Sequence, residues 1–236
     1  MRRQIFSIGI LILNLILTVS CNKKSALPGI DFTGEVDTLI DIEGNIYKTI
    51  GIGSQIWMAE NLRTTKLNDG TFIPNLSKDS IWVKLQTIGL CWYNNDSIKF
   101  QKSYGPLYNF YAVNTSQICP VGWHVPDKSE WEILASFVGG ENVAGGKLKE
   151  SDGSHWNDPN KCIVSNYNFI ALPGGNREHF KGKFIDTGNL GYWWSSFSES
   201  FFISDCFSMS SYDTHLNRFE INKREGLNVR CIKDNP

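Results

Sequence analysis

No block of Lys or Arg occurs along the 236 residues, and 23 Lys+Arg against 24 Asp+Glu leave a formal net charge of −1. This argues against a nucleic-acid partner and against a polybasic membrane patch. H-E-x-x-H, G-x-S-x-G and a phosphate-cradling glycine loop are also missing, so three common forms of hydrolytic or nucleotide chemistry lack their sequence signature. No cysteine sits in a C-x-x-C, and no histidine follows at finger-like spacing, which argues against bound zinc. No metal or other cofactor is expected. No internal repeat is evident.

The N-terminus reads as an address. Arg2 and Arg3 precede residues 5–19, which are apolar except for Ser7, Asn14 and Thr18, and the small residue Ser20 precedes Cys21. The run is shorter than the roughly 20 residues a membrane span needs. Residues 1–20 therefore read as a bacterial lipoprotein signal, with cleavage before Cys21 and acylation of its sulfur. Leu17 lies four residues before the cysteine rather than the usual three, so an ordinary secretory signal cut nearby is the alternative; both imply export. Residues 21–35 are small and polar and read as a flexible tether, leaving 36–236 as the domain. Loss of Arg2 and Arg3 with the signal takes the formal charge from −1 to −3. The expected location is the cell envelope, as an outer-membrane lipoprotein facing the periplasm or the surface.

With Cys21 committed to lipid, Cys91, Cys119, Cys162, Cys206 and Cys231 remain. In an oxidising compartment they imply one or two disulfides and a thiol left over. The preferred pair is Cys119 with Cys231: the first lies just upstream of a well-marked helix, and the second shares a strand face with Leu227 and Val229. Closing so long a loop stabilises by about 4 kcal/mol in the chain-entropy model.

That helix is the clearest local signal. Pro126 ends an extended segment, Asp127 stands at the N-cap, and Glu130 completes a capping box. Trp131, Leu134, Ala135 and Val138 follow at one-face spacing before Gly139 and Gly140. The spacing predicts a helix over 127–138, with a shorter, glycine-weakened one over 145–150. Upstream, residues 39–42, 46–50 and 55–59 read as a β-meander with glycine-containing turns. Residues 104–114 leave helix and strand open. Downstream, 192–197, 201–209, 216–221 and 227–232 read as strands. The fold class is α+β, with a mainly antiparallel sheet and long loops.

Several motifs together resemble the Fibrobacter succinogenes major paralogous domain family: G-N-I-Y-K-T-I-G-I-G-S-Q-I-W-M-A-E-N-L at 44–62, C-W-Y-N-N-D at 91–96, C-P-V-G-W-H-V-P at 119–126, G-G-K-L-K at 145–149, L-P-G-G-N-R at 172–177, Y-W-W-S-S at 192–196 and N-V-R-C at 228–231. The resemblance covers roughly 36–233 and implies a secreted or lipid-anchored bacterial domain. The segment at 119–126 and the terminal V-R-C also look like elements of the C-type-lectin-like fold, as used by formylglycine-generating enzymes. Those enzymes work through a cysteine pair shortly before the terminal strands. Only Cys206 occupies that region here.

No catalytic residue is assigned. His124 lies five residues from Cys119, but its flanks Trp123, Val125 and Pro126 favour a structural histidine over a thiol–imidazole pair. Trp156-Asn157-Asp158 matches the W-N-D element of calcium-dependent lectins without the E-P-N or Q-P-D that would complete six or more oxygen ligands. The better candidates are Trp193 and Trp194, which a strand points to opposite faces. Unless both faces are covered, one indole is presented to a sugar ring or a protein. The loop at 174–191, with Arg177 in it, is the natural place for recognition. The expected function is non-catalytic recognition of a glycan or envelope protein, on a membrane reached through the N-terminal lipid. The alternatives are a purely structural or adhesive lipoprotein, and a degenerate relative of the sulfatase-modifying oxidases.

Overall fold

The computed structural model describes residues 37–158, 163, 165 and 167–234. The predicted signal at 1–20, Cys21, the tether at 21–35 and Cys162 lie outside the described residues. Strands β1 (Thr38–Ile40), β2 (Ile46–Ile52) and β3 (Gln55–Met58) form the expected antiparallel meander. Asp41 fixes the first turn: its carboxylate accepts from the Glu43 and Asn45 amides at 2.9 Å each, beside Gly44 at φ +82°. A side chain substituting for backbone partners is what stabilises such a turn.

The middle of the chain is built from short elements: α1 (Asp79–Trp82), β4 (Leu90–Cys91), a 3-10 turn (Tyr93–Asn95), α2 (Ser97–Phe100), β5 (Leu107–Tyr108), α3 (Phe110–Val113) and β6 (Trp123–His124). The segment at 104–114 is thus both strand and helix, with Asn109 dividing them by capping α3 through the Ala112 amide. Helix α4 (Lys128–Phe137) follows its predicted course. Asp127 accepts from the Glu130 amide at 2.9 Å, and Glu130 accepts from the Asp127 amide at 2.9 Å. Helix α5 (Glu141–Leu148) starts earlier than the predicted 145. Its glycines have a packing role. A Cβ on Gly145 would lie 2.1 Å from the His215 carbonyl oxygen, so only glycine lets α5 approach that backbone.

Strands β7 (Asn176–Arg177), β8 (Phe184–Ile185), β9 (Leu190–Trp194), β10 (Ile203–Ser210), β11 (Leu216–Asn222) and β12 (Ile232–Lys233) complete the fold. The principal sheet has the order β1-β2-β3-β12-β6, joining the start of the domain to its end, and a second sheet runs β11-β10-β9. Every pairing between these named strands is antiparallel, so the α+β, mainly antiparallel class holds. The predicted strand at 227–232 is a correction. Regular pairing is confined to β12, while the Val229 and Cys231 carbonyls accept from the Leu62 and Met58 amides at 2.8 and 3.0 Å. The segment runs extended between sheets instead of adding a full strand to one.

Two large aromatic-rich cores result, beside a smaller third around Trp82, Tyr93 and Phe100. Trp194, Phe110, Met58 and Cys231 lie in one; Trp193, Trp131, Trp57 and Ile232 lie in the other. Adjacent residues on β3, β9 and at the start of β12 therefore feed opposite cores, as period-two alternation requires. The Cys119–Cys231 disulfide is present, with Cα atoms 6.0 Å apart and 112 residues between them in sequence. Cys91 and Cys206 are unpaired and buried.

His124 ties the C-terminus to α4. Its Nδ1 lies 2.6 Å from Asp234 Oδ1 and its Nε2 lies 2.9 Å from Glu130 Oε2. Two carboxylate acceptors favour the doubly protonated ring; Glu130 first and then Asp234 outweigh burial and raise its pKa from 6.5 to about 9. A raised folded-state pKa stabilises fully below the unfolded value and ceases to do so above the folded one. Thermal stability should accordingly fall as pH rises from 6.5 to about 9, and His124→Asn should remove that part of the slope. Identical pH–Tm curves for the two proteins would contradict this.

A candidate recognition cleft

The three residues expected to bind lie inside the protein. Trp193 and Trp194 are both wholly buried. Trp193 Nε1 donates to Asn61 Oδ1 at 2.8 Å and Trp194 Nε1 to the Tyr108 carbonyl at 2.7 Å. The condition for an exposed indole fails because α4 covers one face of β9, where Trp131 lies 6.4 Å from Trp193, and α3 covers the other, where Phe110 lies 5.4 Å from Trp194.

Arg177 is likewise wholly buried. Its guanidinium lies between the rings of Trp82 and Phe184, 4.7 and 4.8 Å from their centroids. It donates to the Gly182, Leu76 and Ser77 carbonyls at 2.9, 2.5 and 2.9 Å and to Asp79 Oδ1 at 3.0 Å. Arg177 is thus a clamp between the β7–β8 hairpin and α1, and presents nothing to a ligand. Among other aromatics, Phe201 and Phe202 are well exposed and stack edge-to-face at 4.9 Å.

The W-N-D triplet is also explained by packing. Trp156 is buried and donates to the Ala171 carbonyl at 3.2 Å, and Asn157 donates to Asn189 Oδ1 at 3.0 Å. No group of three His, Cys, Asp or Glu side chains arranged to hold a metal ion occurs among the described residues. Cys119 is in a disulfide and His124 is held by carboxylates, so the two do not form a thiol–imidazole pair. Burial pushes the Cys91 thiol up to about 12, against the nearby Arg177 charge, and raises the Cys206 thiol strongly as well. Thiolates, the reactive form, are suppressed at both positions.

A different set of residues forms an open cleft of about 200 Å³, lined by Glu60, Asn61, Lys102, Ser103, Glu150, His155, Ile170 and Leu172. Four separate stretches supply it: the chain leaving β3, the turn after α2, the turn after α5, and the segment leading into L-P-G-G. Asn61 ties its own stretch to the turn after α2, to β9 and to the segment before β12. Its Nδ2 donates to the Tyr104 carbonyl at 2.9 Å, and its Oδ1 accepts from Trp193 Nε1 and, at 2.9 Å, from Arg230 Nη2.

On one wall, Glu150 accepts from the His155 amide at 2.7 Å through Oε1 and from His155 Nδ1 at 2.7 Å through Oε2. The carboxylate thereby orients the ring, and in the neutral imidazole the bond to Nδ1 leaves Nε2 as an acceptor. The Tyr104 ring meets His155 edge-on at 5.5 Å. Burial, helped by the Glu150 charge, pushes the Tyr104 phenol up to about 12, so it stays a neutral hydroxyl. Glu60 pairs with Arg63 at 2.5 Å. Ile170, at φ +50°, is a β-branched residue in left-handed backbone. That conformation is strained and is retained only where surrounding structure enforces it.

Fold and cleft together define an α+β domain of antiparallel sheets carrying a small polar recess with an apolar side. The model of the Fibrobacter succinogenes major domain matches residues 50–233, and the chain belongs to that family. No curated protein matches the chain, and no solved structure does.

Sequence reasoning did not find the cleft, since its walls are up to 112 positions apart between Glu60 and Leu172. Two signals were available. Glu150 and His155 flank a glycine-containing turn, and Arg230 stands in the terminal V-R-C between two residues whose side chains enter the core.

Proposed function

We propose that the protein is a lipid-anchored, extracytoplasmic, non-catalytic recognition domain, and that the cleft beside Glu150 and His155 is where it takes up a glycan. The observation that carries this reading is the oriented Glu150–His155 pair facing an apolar patch of Ile170 and Leu172. Vicinal sugar hydroxyls need closely spaced acceptors and donors, while the C–H face of the ring needs apolar contact. Ser103, His155 and Glu150 supply the first, and the two aliphatic side chains supply the second. The signal-like N-terminus supports anchoring through Cys21 and an address at the cell envelope. The scaffold would be C-type-lectin-like; the pairing of β3 with β12 near the two ends of the domain supports this. A merely structural role would leave the orientation of His155 and the strain at Ile170 without a use.

The test is a glycan array probed with the full-length chain in detergent, beside His155→Gln and Glu150→Gln. We expect selective binding by the wild type and a loss of at least tenfold in each variant with Tm nearly unchanged for His155→Gln, whose side chain is about one-third exposed. Binding that both substitutions leave intact would refute the cleft as the site.

A further inference from the structure

Two arginines of this domain are wholly buried, and their charges are treated differently. Arg177 meets the Asp79 carboxylate at 3.0 Å. Arg230 meets no carboxylate. Its guanidinium donates to the Phe169 carbonyl, to Asn61 Oδ1 at 2.9 Å and to the Ile170 carbonyl at 3.2 Å. The Phe169 and Trp193 rings stand 4.1 and 5.8 Å from it. Each of those groups is neutral, and Nε has no hydrogen-bond partner. A cation removed from water and answered only by dipoles is costly. Burial accordingly draws the Arg230 pKa down to about 9, against the steadying charge of Glu60.

The position of this charge gives it a use. Asn61 and Ile170, two of its three acceptors, also line the cleft, so the cation lies directly behind the wall that a ligand would touch. Glu60 also pairs with Arg63, and Glu150 is engaged by His155 at 2.7 Å, while Lys102 stands on the rim of the same cleft. Lys102, Arg63 and Arg230 against Glu60 and Glu150 leave a surplus of one positive charge around the cleft. A charge buried in protein is poorly screened and acts strongly on a ligand that displaces water from the wall.

We propose that the ligand of this cleft is an acidic saccharide, one whose sugar ring bears a carboxylate. Lys102 meets that carboxylate at the exposed rim, and the field of Arg230 reaches it through the Asn61 amide. This rests on the cleft being a glycan site, and it adds the charge class of the glycan.

The probes are trigalacturonic acid and its fully methyl-esterified form, which share a shape and differ in charge. Their affinities for the full-length chain in detergent are measured by calorimetry at low and high salt. The expected result is at least tenfold tighter binding of the acid at low salt, narrowing at high salt. Lys102→Ala, a change at an exposed side chain, should reduce the preference severalfold without altering Tm. Arg230→Gln should abolish the preference if it folds; Lys102→Ala carries the test if it does not. Equal affinities, or tighter binding of the ester, would overturn the charge assignment and leave the cleft standing. Failure of both probes to bind, with a neutral glycan bound instead in a way that His155→Gln abolishes, would overturn it equally. Failure of every glycan would remove the cleft reading and this inference together.

Discussion

Trp193→Ala is expected to destabilise the domain by about 3–5 kcal/mol, the usual cost of truncating a fully buried aromatic side chain to alanine. The indole fills the space between α4 and β9, with Trp131 at 6.4 Å. Its N–H also satisfies Asn61 Oδ1 at 2.8 Å, an atom shared with Arg230. Losing that donor therefore disturbs the cleft as well as the core. Trp193→Phe separates the two effects. It keeps much of the buried ring while removing the hydrogen bond, and Asn61 Oδ1 still accepts from Arg230, so a smaller loss of about 1–2 kcal/mol is expected. Denaturant melts of the three proteins decide the matter. An alanine variant as stable as the wild type would mean that the indole is not in the core, and would reopen a surface role for it.

The second large effect concerns Cys119 and Cys231. The bridge spans 112 residues, and losing it should cost about 4 kcal/mol through the extra freedom of the unfolded chain. At roughly 2–4 °C per kcal/mol for a domain of this size, Tm should fall by about 8–16 °C. Replacing both cysteines by alanine gives the same loss without a reductant. Cys91→Ala and Cys206→Ala serve as controls, because neither sulfur is bridged; each removes only a small buried group and should cost far less. Reduced and oxidised protein melting together would show that the bridge adds nothing to stability.

How much of this was legible depended on how local the instructions were. The α4 start was fully legible because a cap needs only Asp127, Glu130 and the backbone between them. The meander was legible for the same reason: its turns carry Gly44 and Gly53, both at positive φ. The alternation at Trp193 and Trp194 was read correctly. What covers each face was not, because the covering residues Trp131 and Phe110 come from elements more than 60 positions away in sequence.

Arg177 reads as a recognition residue because it lies in the polar, glycine-rich stretch 174–191. Its partners at Leu76, Ser77 and Asp79 lie about 100 positions upstream, and no local pattern reveals them. The stretch before β12 read as a strand because its apolar residues alternate. It is extended, but its backbone groups bond to Met58, Leu62 and Tyr108 in turn instead of to one neighbouring strand. The cleft was the least legible feature, since it exists only where four loops meet.

Recognition depends on where a ligand sits. The most direct measurement is an NMR titration of labelled protein with the glycan that binds best. The His155 ring and Asn61 side-chain amide signals should shift saturably with one dissociation constant, while the Phe201 and Phe202 ring signals stay in place. Saturable shifts confined to Phe201 and Phe202, with His155 and Asn61 unmoved, would place recognition on the exposed aromatic pair and contradict the cleft.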